Sequence, residues 1–297
     1  MSASPAPWRV AIATRILPLA LGIDEVVRTA GHETVALLSV IQLARKHGRV
    51  EDVGELVFRA PPHLDILLPA RRDRIAPLLE TARPDLVVCM GLPWKVPADA
   101  LAVPPLGWLN GHPSLLPRHR GPTPMAWAIR DGDTEAGITW HRMDAELDTG
   151  PILAQRSFPL GEPGPPDELY AGTGPLVMET LAEALGRLGA GDAGTVQEGG
   201  DYQSFFAADD VWLDLARPAA EVHRLVWGWR YAFVPALVRG ALLELDGEPV
   251  RVLASSLAES DGARRVECGD GPLWLLETEP LSEAEATSAS APAPSRR

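Results

Sequence analysis

Apolar runs of strand length alternate along this chain with amphipathic stretches of helix length. Trp8 to Thr14 (WRVAIAT), the HETVALLSV run from His32, and Pro84 to Met90 (PDLVVCM) are near-continuous apolar segments. They read as parallel strands covered on both faces. Between the first two lies ILPLALGIDEVVRTAG, a helix that Gly31 ends, and Arg74 to Ala82 predicts another. A short third strand is expected around Asp65 to Leu68 and a further one at Leu106 to Leu109. Met125 to Arg130 predicts a helix ending near Gly132, and Gly137 to Met143 a strand with neither face cleanly apolar. Residues 167–189 predict a long helix, with leucines broadly at helical spacing. Strands alternating with helices imply an α/β domain on a mostly parallel, Rossmann-like sheet.

The pattern changes after the glycine-rich stretch Gly189 to Gly200. Ala219 to Trp229 predicts an amphipathic helix. Short strands follow at Pro235 to Val238, Ala241 to Leu245, Val250 to Ala254, Arg264 to Cys268 and Leu273 to Glu277, with turns at Asp246-Gly247 and Gly269-Asp270-Gly271. Short strands at this spacing suggest a small β-rich, open-barrel (OB-like) domain. The expected organisation is therefore a first domain over 1–190, a linker over 191–204, a β-rich domain over 205–281 and a disordered tail over 282–297.

Composition removes several classes. No run approaches the roughly 18 apolar residues of a membrane-spanning helix, and the N-terminal segment has no basic leader or credible cleavage site, so a cytoplasmic protein is expected. Cys89 and Cys268 fall in separate predicted strands without CxxC spacing, and the histidines show no ligand-like clustering, so neither a disulfide nor a metal is expected. The first strand is not followed by GxGxxG, which weakens a dinucleotide-binding reading of the sheet. The formal net charge of −13 speaks against gripping nucleic acid through phosphates, unless a local basic patch offsets it.

Candidate chemistry concentrates between Gly107 and Gln155. Asn110 and His112 come just after a predicted strand, where ligands bind in an open parallel sheet, and Asp148 follows in Leu147-Asp148-Thr149-Gly150. An amide can donate to a developing oxyanion, an imidazole can donate there or move a proton, and a carboxylate can hold the imidazole charged or accept a proton itself. No Ser or Cys with a base at a recognisable spacing accompanies them, so the set suits direct acyl transfer to an amine. Each residue also has a plainer reading: Asn110-Gly111 as a turn, His112 as a loop histidine bonded to backbone, Asp148 as an Asx turn. Arg118 and Arg120, in the proline-rich loop after His112, either hold a phosphate or carboxylate or form a solvated rim. His141 reads as structural, or as a support for the Asp148 loop.

Asn110-x-His112-x-Ser114-Leu115-Leu116-Pro117, then Arg118-x-Arg120-Gly121, then Leu147-Asp148-Thr149-Gly150, resembles the signature of the 10-formyltetrahydrofolate-dependent formyltransferase family. The first two thirds resemble its catalytic domain, and the remainder the C-terminal domain of its methionyl-tRNA type. The resemblance implies Asn110, His112 and Asp148 as catalytic residues, with Asp148 keeping the imidazole charged. It implies folate contacts at Met90, Gly91, Leu92, Pro93 and Leu147, and acceptor contacts at Ser114, Arg118 and Arg120. It implies 10-formyltetrahydrofolate as formyl donor. In methionyl-tRNA members a basic insertion follows the second strand; residues 42–74 occupy that place but are only weakly basic. That departure, the net charge, and the GITWHRM…ILAQ wording similar to sugar-type members favour a small-molecule amine acceptor over tRNA. Methionyl-tRNA is the alternative, and a formyltetrahydrofolate hydrolase a more remote one.

Overall fold

The computed structural model describes residues 6–40, 50–207, 211–232, 240–282 and 285. The expected strand at 235–238, the tail from 286 onward and the stretch 42–49 lie outside the described residues. The chain forms two compact units. The first comprises 1–120, 137–157 and 173–201; the second comprises 121–136, 158–172 and 202–297. The C-terminal unit thus also takes in two segments from the middle of the chain.

The first unit is built on a sheet of β1 (Arg9–Ala13), β2 (Glu33–Leu38), β3 (Asp65–Leu67), β4 (Leu86–Cys89), β5 (Trp108–His112), β6 (Glu135–Arg142) and β7 (Ile152–Pro159). Their order is β3-β2-β1-β4-β5-β6-β7. The pairs β2/β3, β1/β2, β1/β4 and β4/β5 are parallel, and β5/β6 is antiparallel. This is the Rossmann-like, mostly parallel sheet that the apolar runs imply. Alternate residues of each strand feed opposite cores. Val10, Ile12, Leu37, Leu86 and Val88 face one cluster with Ala20, Ile23 and Val27 of α1 (Leu17–Thr29). Ala11, Ala13, Ala36, Leu38, Val87 and Cys89 face another with Ile75 and Leu79 of α3 (Ile75–Ala82), which follows α2 (Val50–Arg59) in the chain. Burial on both faces explains why these strands read as unbroken apolar runs. It also pushes the Cys89 thiol up to about 12.

After β4 come the one-turn α4 (Ala98–Leu101), then α5 (Pro124–Asp131) and α6 (Pro166–Gly189). Leu181, Ala184, Leu185 and Leu188 of α6 join the α1 side of the sheet core. Strand β7 has no counterpart in the sequence reading. Only Leu153 and Ala154 of it are buried while Arg156 and Ser157 face solvent, so its apolar run is too short to announce a strand.

The second unit contains α7 (Ala219–Tyr231) and a four-stranded antiparallel sheet of β8 (Ala241–Leu245), β9 (Glu248–Ser256), β10 (Arg264–Cys268) and β11 (Gly271–Pro280) in the order β10-β11-β9-β8. This is the small β-rich domain expected from the short strands. Its core joins Val222, Val226, Trp227 and Trp229 of α7 to Leu242, Val252, Leu273 and Leu275 of the sheet, and to Met125, Ala126 and Ile129 of α5.

No described helix is long and apolar enough to cross a membrane, and no cluster of three or more His, Cys, Asp or Glu residues suited to a metal ion occurs among the described residues.

Candidate functional site

The order of the sheet sets the location. From β1 the chain proceeds outward to β2 and β3, then crosses back to β4 on the other side, so the topological switch point lies between β1 and β4. Ligands of open α/β sheets bind beyond the strand ends at such a point. Met90 leaves β4 there, its amide donating to the Ala13 carbonyl at 3.1 Å. Gly91 follows at φ 72°, a left-handed conformation that glycine adopts without steric cost. Leu92 and Pro93, and Leu147 in the turn after β6, are half-buried.

Asn110 and His112 lie within β5 rather than after it. Register with β4 sets Asn110 beside Cys89, and the antiparallel pairing with β6 sets Asn110 opposite His141 and His112 opposite Thr139. Residues two apart share a strand face, so Asn110 and His112 project together. Between them Gly111 is required: a β-carbon there would come within 2.8 Å of the Trp140 ring.

Asp148 comes from the turn after β6 and has φ 58°, a left-handed conformation that aspartate tolerates better than most residues. Its Oδ1 lies 3.4 Å from Asn110 Nδ2, 3.6 Å from His112 Nδ1 and 3.6 Å from His141 Nε2. Three side chains distant in sequence thus converge on one carboxylate oxygen. His141 Nδ1 lies 2.9 Å from the Arg142 carbonyl, so it carries the proton there, and Nε2 accepts from Asn110 Nδ2 at 3.1 Å. That contact fixes which end of the Asn110 amide faces the carboxylate.

His112 is 5% exposed, and its Nε2–H donates to the His119 carbonyl at 2.9 Å. In the neutral ring Nδ1 then keeps its lone pair, on the side of Asp148. Burial lowers the His112 pKa, and it outweighs the opposing pull of the Asp148 carboxylate and the His119 carbonyl; His141 and His119 add to the lowering. The expectation that Asp148 keeps the imidazole charged is therefore corrected: a ring almost wholly removed from water loses more hydration than one carboxylate at 3.6 Å restores.

The residues expected to touch the acceptor divide. Ser114 is buried, and its hydroxyl donates to the Arg118 carbonyl at 2.8 Å, closing the loop after β5. Arg118 is exposed. Arg120 turns to the chain itself: its Nη2 and Nε donate to Gln197 Oε1 at 2.9 and 3.2 Å. Gln197 in turn donates to the carbonyls of Asp148 and Gly150 at 3.0 and 2.7 Å. Gln197 falls in the glycine-rich stretch read as a linker, and no local pattern marks it. His141, read from the sequence as structural or as a support for the Asp148 loop, is carried by β6 to a position opposite Asn110.

Comparison with known proteins fits this geometry. The family model described as Formyl transferase matches residues 46–183. The methionyl-tRNA formyltransferase of Roseiflexus sp. (strain RS-1) is 37% identical over 206 residues, 65% of this chain and 60% of that protein. That of Pelobacter propionicus is 32% identical over 241 residues, 75% of this chain and 74% of that protein. The first of these matches therefore spans less than two thirds of its relative's length. Among solved structures, HypX from Aquifex aeolicus in complex with tetrahydrofolic acid superposes with a TM-score of 0.67 at 19% identity, covering 94% of this chain and 45% of that one. A sugar N-formyltransferase from Shewanella sp. FDAARGOS_354 gives 0.62 at 20%, covering 85% and 99%; both likenesses concern the fold.

These relatives overturn the preference for a small-molecule amine over tRNA as partner, because the two sequence relatives are named for a tRNA acceptor while the sugar-type likeness is one of fold. That preference rested on the weakly basic 42–74 segment, on sugar-type wording and on net charge, and the last of these sums the whole surface, whereas phosphate contacts depend on where the basic residues stand. A sequence match of 32% over three quarters of the chain, on a sheet that brings Asn110, His112 and Asp148 together at the end of β5, places the protein in the formyl transferase family.

Proposed function

We propose that the protein transfers a formyl group from 10-formyltetrahydrofolate to the amino group of methionyl-tRNA in the cytoplasm, with Asn110, His112 and Asp148 as catalytic residues. The observation that carries this reading is the convergence of Asn110 Nδ2 and His112 Nδ1 within 3.6 Å of one Asp148 oxygen at the end of β5. The names of the sequence relatives support the acceptor.

The residues at the switch point suit a folate donor. The main chain from Met90 to Pro93 turns at a left-handed glycine, close to the end of β1 and partly open to solvent, so its amides and carbonyls can pair with the edge of a flat pterin. Half-buried Leu92 and Leu147 provide apolar contacts beside it. When bound, the donor supplies an activated formyl carbon.

Asn110 turns the N–H that reaches toward Asp148, the longer of its two contacts at 3.4 Å, to the oxygen that becomes negative as the amine adds to that carbon, an effect worth roughly 100- to 1000-fold in rate. His112, neutral at the outset, accepts the surplus proton of the attacking amine at Nδ1. The resulting imidazolium is stabilised by Asp148 at 3.6 Å and by Nε2–H donation to His119. His112 then returns the same proton to the departing nitrogen, so the ring ends as it began. Such proton transfer contributes about 100- to 10,000-fold.

The test is incubation with labelled formyl donor and charged initiator tRNA at several salt concentrations. Formyl-methionyl-tRNA should form, and binding of the tRNA should weaken steeply as salt rises because counterions are released. No transfer to methionyl-tRNA, with transfer to a free amine instead, would sink the assignment of the acceptor.

A further inference from the structure

The chain segment 194–200 lies along the turn that carries Asp148. Thr195 and Ile152 exchange both backbone hydrogen bonds at 2.8 Å, forming an isolated antiparallel bridge. Two residues on, Gln197 Nε2 donates to the Asp148 carbonyl at 3.0 Å and to the Gly150 carbonyl at 2.7 Å. Its Oε1 receives Arg120 Nη2 and Nε, and Arg120 Nη1 reaches the Gly200 carbonyl at 3.3 Å. Gly200, at φ 84°, passes so close to Pro117 that a β-carbon would lie 2.3 Å from its carbonyl oxygen. One primary amide thereby ties three pieces of chain: the Asp148 turn, the loop after β5 and the strap 194–200.

We propose that Gln197 is a positioning residue, whose side-chain amide fixes the Asp148 carboxylate against His112 and Asn110. This rests on the reading of those three residues as the reacting set. Only a side chain with two N–H donors and an acceptor on one planar group meets all these demands; glutamate lacks the donors and lysine the acceptor. The turn needs such a hold. Asp148 is in the left-handed region, and Gly150 is so close to the Arg142 carbonyl that a β-carbon would sit 1.8 Å away. Released from Gln197, the two carbonyls would turn to water, and the Asp148 oxygen would leave its place 3.6 Å from His112 Nδ1.

The charged and titratable groups facing His112 are Asp148, His119 and His141. Of these, Asp148 sits on the turn that Gln197 holds. Removing the hold therefore weakens the one carboxylate that raises the His112 pKa, so the ring should titrate at lower pH. A merely structural tie would lower thermal stability without moving that titration.

The experiment follows the His112 ring by NMR titration of histidine-labelled protein in wild type, Gln197→Met, Asp148→Asn and the double variant, beside kcat and KM. Asp148→Asn and Gln197→Met should each lower the His112 pKa, and the double variant should match Asp148→Asn, since a hold on an absent charge has nothing left to do. Gln197→Met should lower kcat roughly 10- to 100-fold, as a small misplacement of a reacting group does, with KM for the donor changed less than about threefold. If Asp148→Asn shifts the titration and Gln197→Met does not, or if the shifts add, the role given to Gln197 is overturned and the reacting set stands. If Asp148→Asn shifts nothing, both fall. Should the methionine variant not fold, Gln197→Leu, which also loses both donors and adds no charge, provides the same comparison.

Discussion

His112 Nδ1 and Asp148 Oδ1 are 3.6 Å apart, close enough for strong electrostatic coupling but beyond an ordinary hydrogen bond. The carboxylate is thus placed to stabilise a proton that arrives on Nδ1 rather than to hold one there beforehand. Asp148→Asn keeps the shape and removes the charge, so the His112 pKa should fall further below its ordinary value. A base must be neutral to act, so the acidic limb of the kcat profile follows that pKa and should move to lower pH. The plateau rate should fall by about 100-fold or more for want of support to the imidazolium. A kcat–pH profile of the variant that overlays the wild type would remove Asp148 from the mechanism.

Loss of Asn110 should be separable from loss of His112. Asn110→Ala removes one oxyanion donor, so kcat should fall by roughly 100- to 1000-fold with an unchanged pH profile. His112→Ala removes the proton relay, and its profile should lose the acidic limb. Both should fold, because Asn110 is only half-buried and His112 sits at a strand end. Steady-state kinetics from pH 5 to 9 would discriminate them.

The lowered His112 pKa also bears on stability. The folded protein binds fewer protons at this ring than the unfolded chain does as pH falls toward and below about 6.5, so stability declines on acidification. His223 and His32, whose pKa values burial also lowers, contribute with the same sign. Denaturant unfolding at pH 7 and pH 5 should show a loss that is smaller in His112→Gln than in wild type, though not abolished. An equal loss in both proteins would contradict burial of a neutral His112 ring.

Folate binding is open to a direct measurement. A ligand that engages the Met90 to Pro93 turn in the folded state alone raises the melting temperature, and saturation at 100-fold over Kd adds about 2.7 kcal/mol. 5-Formyltetrahydrofolate should produce such a shift, and Gly91→Val should reduce it, since Gly91 has φ 72° and a β-carbon there would press within 3.2 Å of Ile16. Absence of any shift at millimolar ligand would count against the donor assigned here.

Much of this architecture was legible because burial writes itself into apolar runs: β1, β2 and β4 are covered on both faces and show it. Asn110, His112 and Asp148 were legible as a spaced set. Other parts depend on neighbours that no local window contains. His141 enters the site through its register with Asn110, and Gln197 through hydrogen bonds to carbonyls 47 and 49 residues earlier. Glycines around Gln197 make its segment look like a connector, although Gly194 and Gly200 are there because the chain runs too close to Pro151 and Pro117 for side chains. The acceptor was misjudged for a different reason. A total charge of −13 carries no information about where the 27 basic residues lie.

Cys89 stands in β4 beside Asn110, wholly enclosed, with its thiol pushed up to about 12. Hardly any thiolate exists at neutral pH, and no reagent can reach the sulfur while the sheet is closed. Alkylation of Cys89 therefore clocks the opening of the strand that borders the site, and half-buried Cys268 of the other unit, which a reagent meets without any opening, serves as the internal reference. The chain carries, in its two thiols, a stopwatch for local breathing of the first unit that needs no added label.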